Sequence, residues 1–184
     1  MQAFTIAAVS VALAEIGDKT QLLSLVLAAK FRKPWPICAG ILAATLVNHA
    51  IAAEVGAWLA HWLTLQVQRW LIGFSFLAVA VWALFPDKED DNAAKGARYG
   101  VFVATAISFF LAEMGDRTQI ATAVLAAQYR PLWAVILGTT VGMLLANVPV
   151  VFLGARFAEK LPLRATRIAA ALLFAALGIW ILVR

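Results

Sequence analysis

Apolar residues run along this chain in blocks of roughly twenty with short polar breaks between them, and about twenty helical residues cross the ~30 Å hydrocarbon layer of a bilayer. The strict apolar/polar alternation of a barrel strand is absent, so helices are the spanning elements that satisfy their own backbone. The blocks predict six spans, at 3–29, 35–59, 70–85, 99–127, 133–153 and 168–184. Lys30-Phe31-Arg32-Lys33-Pro34 closes the first and Arg130-Pro131 the fourth, because charge and proline both end a helix. A hydrophilic linker at 86–98, headed by Asp87-Lys88-Glu89-Asp90-Asp91, separates three spans from three more, and a basic loop occupies 156–167. The expected organisation is a three-helix repeat over 1–85, the linker, and a second three-helix repeat over 99–184.

The first and fourth blocks are interrupted in the same way. Glu15-Ile16-Gly17-Asp18-Lys19-Thr20-Gln21 lies near the middle of one and Glu113-Met114-Gly115-Asp116-Arg117-Thr118-Gln119 near the middle of the other. From 14–29 to 112–127 the two copies share ten of sixteen residues at a fixed offset of 98, which is an internal repeat. Arg32 with Arg130, Trp35 with Trp133, Gly40 with Gly138 and Gly56 with Gly154 keep that offset, while Asn48 and Asn147 miss it by one residue. Each repeat has an odd number of spans, so the second should enter the bilayer from the opposite side, related to the first by a pseudo-two-fold axis in the membrane plane. Both acidic motifs then reach the midplane together.

Composition agrees with a membrane fold. The chain is 64% hydrophobic and 14% charged, with a mean hydropathy of +0.88, far from a soluble composition. The net charge of +5 does not point to nucleic acid, because the basic residues are dispersed through short loops. Lys30, Arg32, Lys33, Lys88, Lys95, Arg98, Arg156, Lys160, Arg164 and Arg167 fall on one side, and Arg69, Arg130 and Arg184 on the other. The positive-inside rule makes the richer side, with the acidic linker, cytoplasmic and puts both termini outside. The opening residues lack a basic n-region, so the first block is expected to be a retained span and not a signal peptide. The one cysteine, Cys38, excludes an intrachain disulfide framework and a cysteine metal cluster. Seven tryptophans near predicted span ends suit an interfacial aromatic belt.

The motifs carry the chemistry. A charged side chain at the centre of a membrane helix costs about 2.5–3.5 kcal/mol even on a lenient scale, and here there are four acids, Glu15, Asp18, Glu113 and Asp116. Residues three apart share a helical face, so each motif would aim two carboxylates one way, and the inverted pair would close a ring of four. Such oxygen ligands suit hard divalent cations, Ca²⁺, Mn²⁺ or Mg²⁺. Thr20, Gln21, Thr118 and Gln119 offer neutral oxygens beside the acids, Asn48 and Asn147 offer them from the second and fifth spans, and Glu54 is either an accessory ligand or proton relay or the partner of a cation. His49 is expected to be a hydrogen-bonded packing residue. Gly17 and Gly115 permit either close helix approach or a local unwinding. Lys19 and Arg117 are counter-charges that pair with the first acid of their own motif or reach across to the other. Four carboxylates less two fixed cations leave two negative charges, which one divalent ion or two protons would neutralise.

The duplicated pattern Glu-x-Gly-Asp-(Lys/Arg)-Thr, intact in both copies, resembles the signature of the cation/proton exchangers that include the Golgi manganese and calcium transporters of eukaryotes and small bacterial manganese exporters. The resemblance implies that Glu15, Asp18, Glu113 and Asp116 bind the cation, with Thr20 and Thr118 accompanying them, and that Mn²⁺ or Ca²⁺ leaves the cytoplasm in exchange for protons. The short linker and the lack of a targeting extension look like a bacterial member, which implies the cell inner membrane with both termini periplasmic. The expectation is an all-α secondary transporter of six transmembrane helices in two inverted repeats, exporting Mn²⁺ with Ca²⁺ as the nearest alternative, not an enzyme and without a cofactor. A metal-dependent intramembrane enzyme is the rival from another class, but the sequence offers no nucleophile or histidine ligands beside the acids. A passive cation channel fits the two fixed counter-charges less well than an occluded carrier does.

Overall fold

The computed structural model describes residues 1–85, 100–153 and 163–183. The acidic linker, with Lys88, Lys95 and Arg98, lies outside the described residues, as do Gly154, Arg156, Lys160 and Arg184. Eight helices are present among the described residues: α1 (Gln2–Glu15), α2 (Lys19–Phe31), α3 (Pro34–Trp62), α4 (Leu65–Ala83), α5 (Val101–Glu113), α6 (Arg117–Gln128), α7 (Leu132–Leu153) and α8 (Leu163–Val183). The difference from six comes from the first and fourth predicted spans, each of which is two helices. Gly17 (φ 82°) and Gly115 (φ 75°) take a left-handed conformation that a side chain disfavours, and the helix stops at each Glu, two residues before the glycine. Of the two roles that sequence left open for these glycines, the structure takes the local unwinding.

The break leaves short pieces. α1, α2, α5 and α6 have 14, 13, 13 and 12 residues, about 18–21 Å each at 1.5 Å per residue and shorter than the hydrocarbon layer. α3, α4 and α7 are long and apolar enough to cross a membrane, and α1, α5 and the Ile168–Val183 part of α8 are shorter apolar segments. Local signals set the other boundaries. Pro34 opens α3, where its missing N–H costs nothing, and the Thr64 hydroxyl accepts the Val67 amide to cap α4. α2 ends at Arg32, left-handed at φ 52°.

Packing exchanges the two halves. α1 and α2 pack against α7, α5 and α6 against α3, α3 against α7, and α4 against α8. A Cβ on Gly40 would stand 2.8 Å from the Phe102 carbonyl oxygen and 2.7 Å from Thr105, and one on Gly138 would stand 2.5 Å from the Phe4 carbonyl oxygen and 3.0 Å from Ala7. Phe102 and Thr105 follow Phe4 and Ala7 by the repeat offset of 98, so both crossings use equivalent residues. Phe76 and Phe174, again 98 apart, stack on each other with ring centroids 6.1 Å apart.

Successive contacts also give the sense of each pair. Along α3, Gly40 meets Phe102 and Thr105, Asn48 bonds the Phe110 carbonyl, and Gly56 meets Ala123, so α5 and α6 follow one another beside a single helix. Along α7, Gly138 meets Phe4, Gly142 meets Ala8, and Ala146 accepts from Gln21, so α1 and α2 do the same. α4 and α8 are antiparallel, with Gly73 against Leu182 and Leu77 against Gly178. Six of the seven tryptophans are exposed and Trp82 is half-buried, and they lie toward helix ends, as a belt requires.

Candidate metal centre

Each motif folds into the same joint. Glu15 and Glu113 are the last residues of α1 and α5, the glycine turns the chain, and Asp18 and Asp116 become the N-caps of α2 and α6 in extended conformation. The Gly17 amide donates to Gln21 Oε1 at 2.8 Å and the Gly115 amide to Gln119 Oε1 at 2.7 Å, so the glutamines staple the joints. Their side-chain oxygens are therefore turned to backbone. Sequence spacing placed each Glu and Asp on one helical face; the unwinding removes that face, and the Asp starts a new helix with its own direction.

The two joints meet. Glu15, Glu113 and Asp116 are buried, and one carboxylate oxygen from each lies within 4.8 Å of the others. Thr20 Oγ1 donates to Glu15 Oε2 at 2.5 Å, and Thr118 Oγ1 lies 3.1 Å from Glu113 Oε2 and 3.2 Å from Asp116 Oδ2. The remaining oxygens, Glu15 Oε1 and Glu113 Oε1, are buried without a hydrogen-bond partner. A buried acceptor left in that state is costly unless something positive comes to it.

The fourth acid is engaged elsewhere. Asp18 is paired with Arg117, whose Nη1 also donates to the Phe85 carbonyl at the end of α4, 3.4 Å away. Lys19 Nζ lies 3.2 Å from Asp116 Oδ1. Both motif cations thus cross to the other motif's Asp, the second of the two pairings that sequence allowed. Each crossing pair ties the N-terminus of one short helix to that of the other.

The other predicted site residues divide. Gln21 Nε2 donates to the Ala146 carbonyl at 2.8 Å, anchoring α2 to α7. Asn147 Oδ1 accepts from Ser24 at 2.8 Å, and its Nδ2 donates to the Met143 carbonyl at 3.1 Å. Asn48 donates to the Phe110 carbonyl at 3.1 Å and keeps a buried Oδ1 without a partner. Glu54 is on the exposed face of α3 and is not among the acids that converge. His49 is fully buried, but neither ring nitrogen has a hydrogen-bond partner, contrary to the expected hydrogen-bonded packing role.

Three features escaped sequence reading. The Gly40/Gly138 and Gly56/Gly154 pairs keep the offset of 98 on both sides, so the true counterpart of Asn147 is His49 and not Asn48. Ser24, which holds Asn147, has Thr122 as its counterpart, and Thr122 instead donates to the Thr118 carbonyl at 2.7 Å. The signal was available as a repeated hydroxyl, hidden because the two residues differ. The Phe85 carbonyl beside Arg117 carries no signal in sequence, since any residue supplies one.

The family described as "Divalent cation/proton antiporter GDT1" matches residues 3–91 and 101–184. A protein of Vibrio cholerae named "Putative manganese exporter" is 53% identical over 175 residues, covering 95% of this chain and 87% of its own length. A GDT1-like protein of Synechocystis is 29% identical over 193 residues, covering 87% and 88%, and GDT1-like protein 5 of Arabidopsis thaliana is 26% identical over 221 residues, covering 97% and 94%. No solved structure matches the chain. With both joints inside the matched residues, the chain belongs to the GDT1 family of divalent cation/proton antiporters.

Proposed function

We propose that this protein exports Mn²⁺ from the cytoplasm in exchange for protons, with Glu15, Glu113 and Asp116 as the ion's carboxylate ligands and Ca²⁺ as the nearest alternative substrate. The observation that carries the reading is the convergence of three buried carboxylates within 4.8 Å, two of them with an oxygen that nothing else satisfies. An all-oxygen set of this kind suits a hard divalent ion. Thr20 and Thr118 orient the Glu carboxylates from outside the ligand shell, and the Arg117–Asp18 pair supports the joint. The family supports coupling to protons, and the printed name of the Vibrio cholerae relative favours manganese.

The charge balance supports exchange. Glu15, Glu113 and Asp116 with Lys19 beside them carry two net negative charges when ionised, which one divalent ion or two protons cancel. Neutrality matters because a net charge is expensive away from water. The exchanged packing of the halves and the alternating sense of the helices favour six crossings in two inverted repeats, with α1–α2 and α5–α6 each acting as one broken span. In that topology the joints meet near the bilayer midplane, and both termini lie outside the inner membrane.

Proteoliposomes holding a pH-sensitive dye test the function. Mn²⁺ added on one side should drive protons to that side and itself to the other, with Ca²⁺ giving a smaller response, and acidifying the receiving side beforehand should speed net uptake. Mn²⁺ flux that ignores an imposed pH gradient would make the protein a channel, and no flux of either metal would remove the transport reading.

A further inference from the structure

The two motif cations occupy equivalent positions and make equivalent crossings, but their settings differ. Arg117 is 1% exposed, is paired with Asp18, and is held as well by the Phe85 carbonyl. Asp18 lies outside the group of converging carboxylates. Lys19 is 16% exposed and pairs with Asp116, which lies inside that group. One cation therefore neutralises an acid beside the site, and the other neutralises an acid of the site itself.

A divalent ion bound among Glu15, Glu113 and Asp116 would stand about 2–2.6 Å from each ligand oxygen, while Lys19 Nζ is already 3.2 Å from Asp116 Oδ1. The two positive charges would be near neighbours in a buried setting, where repulsion is strong. They compete for one carboxylate. Lysine is the side chain suited to swing aside, because its charge is compact and its four-carbon stem flexible, whereas Arg117 presents a planar fork and is 1% exposed. Partial exposure gives Lys19 room to move off Asp116 that Arg117 lacks.

From this contrast we infer that Lys19 is a tethered stand-in for the transported ion: it sits on Asp116 when the metal is absent and swings off that carboxylate, staying beside the site, when the divalent cation binds. Arg117 on Asp18 is the fixed partner that stays through the cycle. On the return leg Lys19 and two protons together keep the three carboxylates from facing one another uncompensated, so the metal-free carrier remains able to close and return. Lys19 is thus a positioning residue acting through Asp116. This inference rests on the ion-binding reading of the carboxylate group.

The test uses the full-length protein with Mn²⁺ as the probe, comparing equilibrium binding, net export from proteoliposomes, and exchange of labelled for unlabelled Mn²⁺. Lys19→Gln removes the competitor, so the Mn²⁺ Kd should fall about tenfold. Net export should fall about tenfold because the metal-free, proton-loaded carrier no longer returns, while Mn²⁺/Mn²⁺ exchange, which never passes through the metal-free state, persists. Lys19→Arg keeps the charge but offers Asp116 two parallel N–H groups in a fixed fork, a stronger hold on the carboxylate, so its Kd should rise. That variant decides the matter if Lys19→Gln does not fold, since Arg already serves at the equivalent position of the other motif. A Kd that is unchanged or raised in Lys19→Gln, or unchanged or lowered in Lys19→Arg, overturns the inference, as does loss of net export and exchange in equal measure. Failure of the unsubstituted protein to bind Mn²⁺ at all would instead overturn the ion-site reading beneath it.

Discussion

The first joint and the second share their acid, glycine, aspartate, threonine and glutamine, yet they do not present the same surface to the site. At the first, Glu15 has its own threonine at 2.5 Å, and Asp18 is paired with Arg117. At the second, Thr118 stands between Glu113 and Asp116, and its amide also donates to Asp116 Oδ2 at 3.4 Å, so both acids stay at the site. The first joint is braced on α7 through Gln21 and through Ser24 with Asn147, whereas the second has His49 in the place of Asn147 and leaves Met114 and Gly115 exposed. The same letters therefore specify the break, and the neighbours specify which carboxylates the break delivers. The better-braced joint gives one acid to the site, and the looser one gives two.

That comparison is broken most severely at the aspartates. Asp18→Asn leaves Arg117 buried without its carboxylate and should destabilise the protein by about 3–5 kcal/mol, measured as a fall in the detergent-solubilised melting temperature. Asp116→Asn removes a proposed ligand beside a partly exposed lysine, and should weaken Mn²⁺ binding on the order of 100-fold with a smaller loss of stability. If the two variants lose stability and affinity alike, the division of labour between the joints is wrong.

The threonines sharpen it. Thr118→Val disturbs two carboxylates and Thr20→Val one, so the former should cost about tenfold or more in Mn²⁺ affinity and the latter a few-fold. Equal effects would mean that Thr118 serves only one of its two neighbours. The smallest difference is expected at the bracing positions. Asn147→Ala orphans the Ser24 hydroxyl and should cost about 1–3 kcal/mol of stability, while His49→Asn places the repeat's other residue in a slot with no hydrogen bonds to lose and should stay within about 1 kcal/mol. A larger loss at His49 would show that its ring does more than fill space.

Much of this was legible before any coordinates. The duplicated motif marks both joints, and the shared offset announces that the halves are related, because a repeat of packing requires a repeat of small residues such as Gly40 and Gly138. The break at Gly17 and Gly115 was only half legible, since glycine serves close packing and left-handed turns alike and φ is not written in the letters. Which acids converge was not legible. A ring of four follows from helical periodicity, but periodicity ends where the helix ends, and beyond the break Asp18 is directed by Arg117 from the other half, 99 residues away. Glu54 shows the opposite failure, an acid in an apolar block that looks functional by position and faces outward in the fold.

The central claim is that a divalent ion sits among Glu15, Glu113 and Asp116. Crystals grown with Mn²⁺ and measured at the manganese absorption edge test it most directly. The account predicts one anomalous peak about 2–2.6 Å from an oxygen of each of these three carboxylates, with Lys19 Nζ moved away from Asp116. A peak coordinated by Asp18 and distant from Asp116, or Mn²⁺ bound only at the protein's surface, would contradict it.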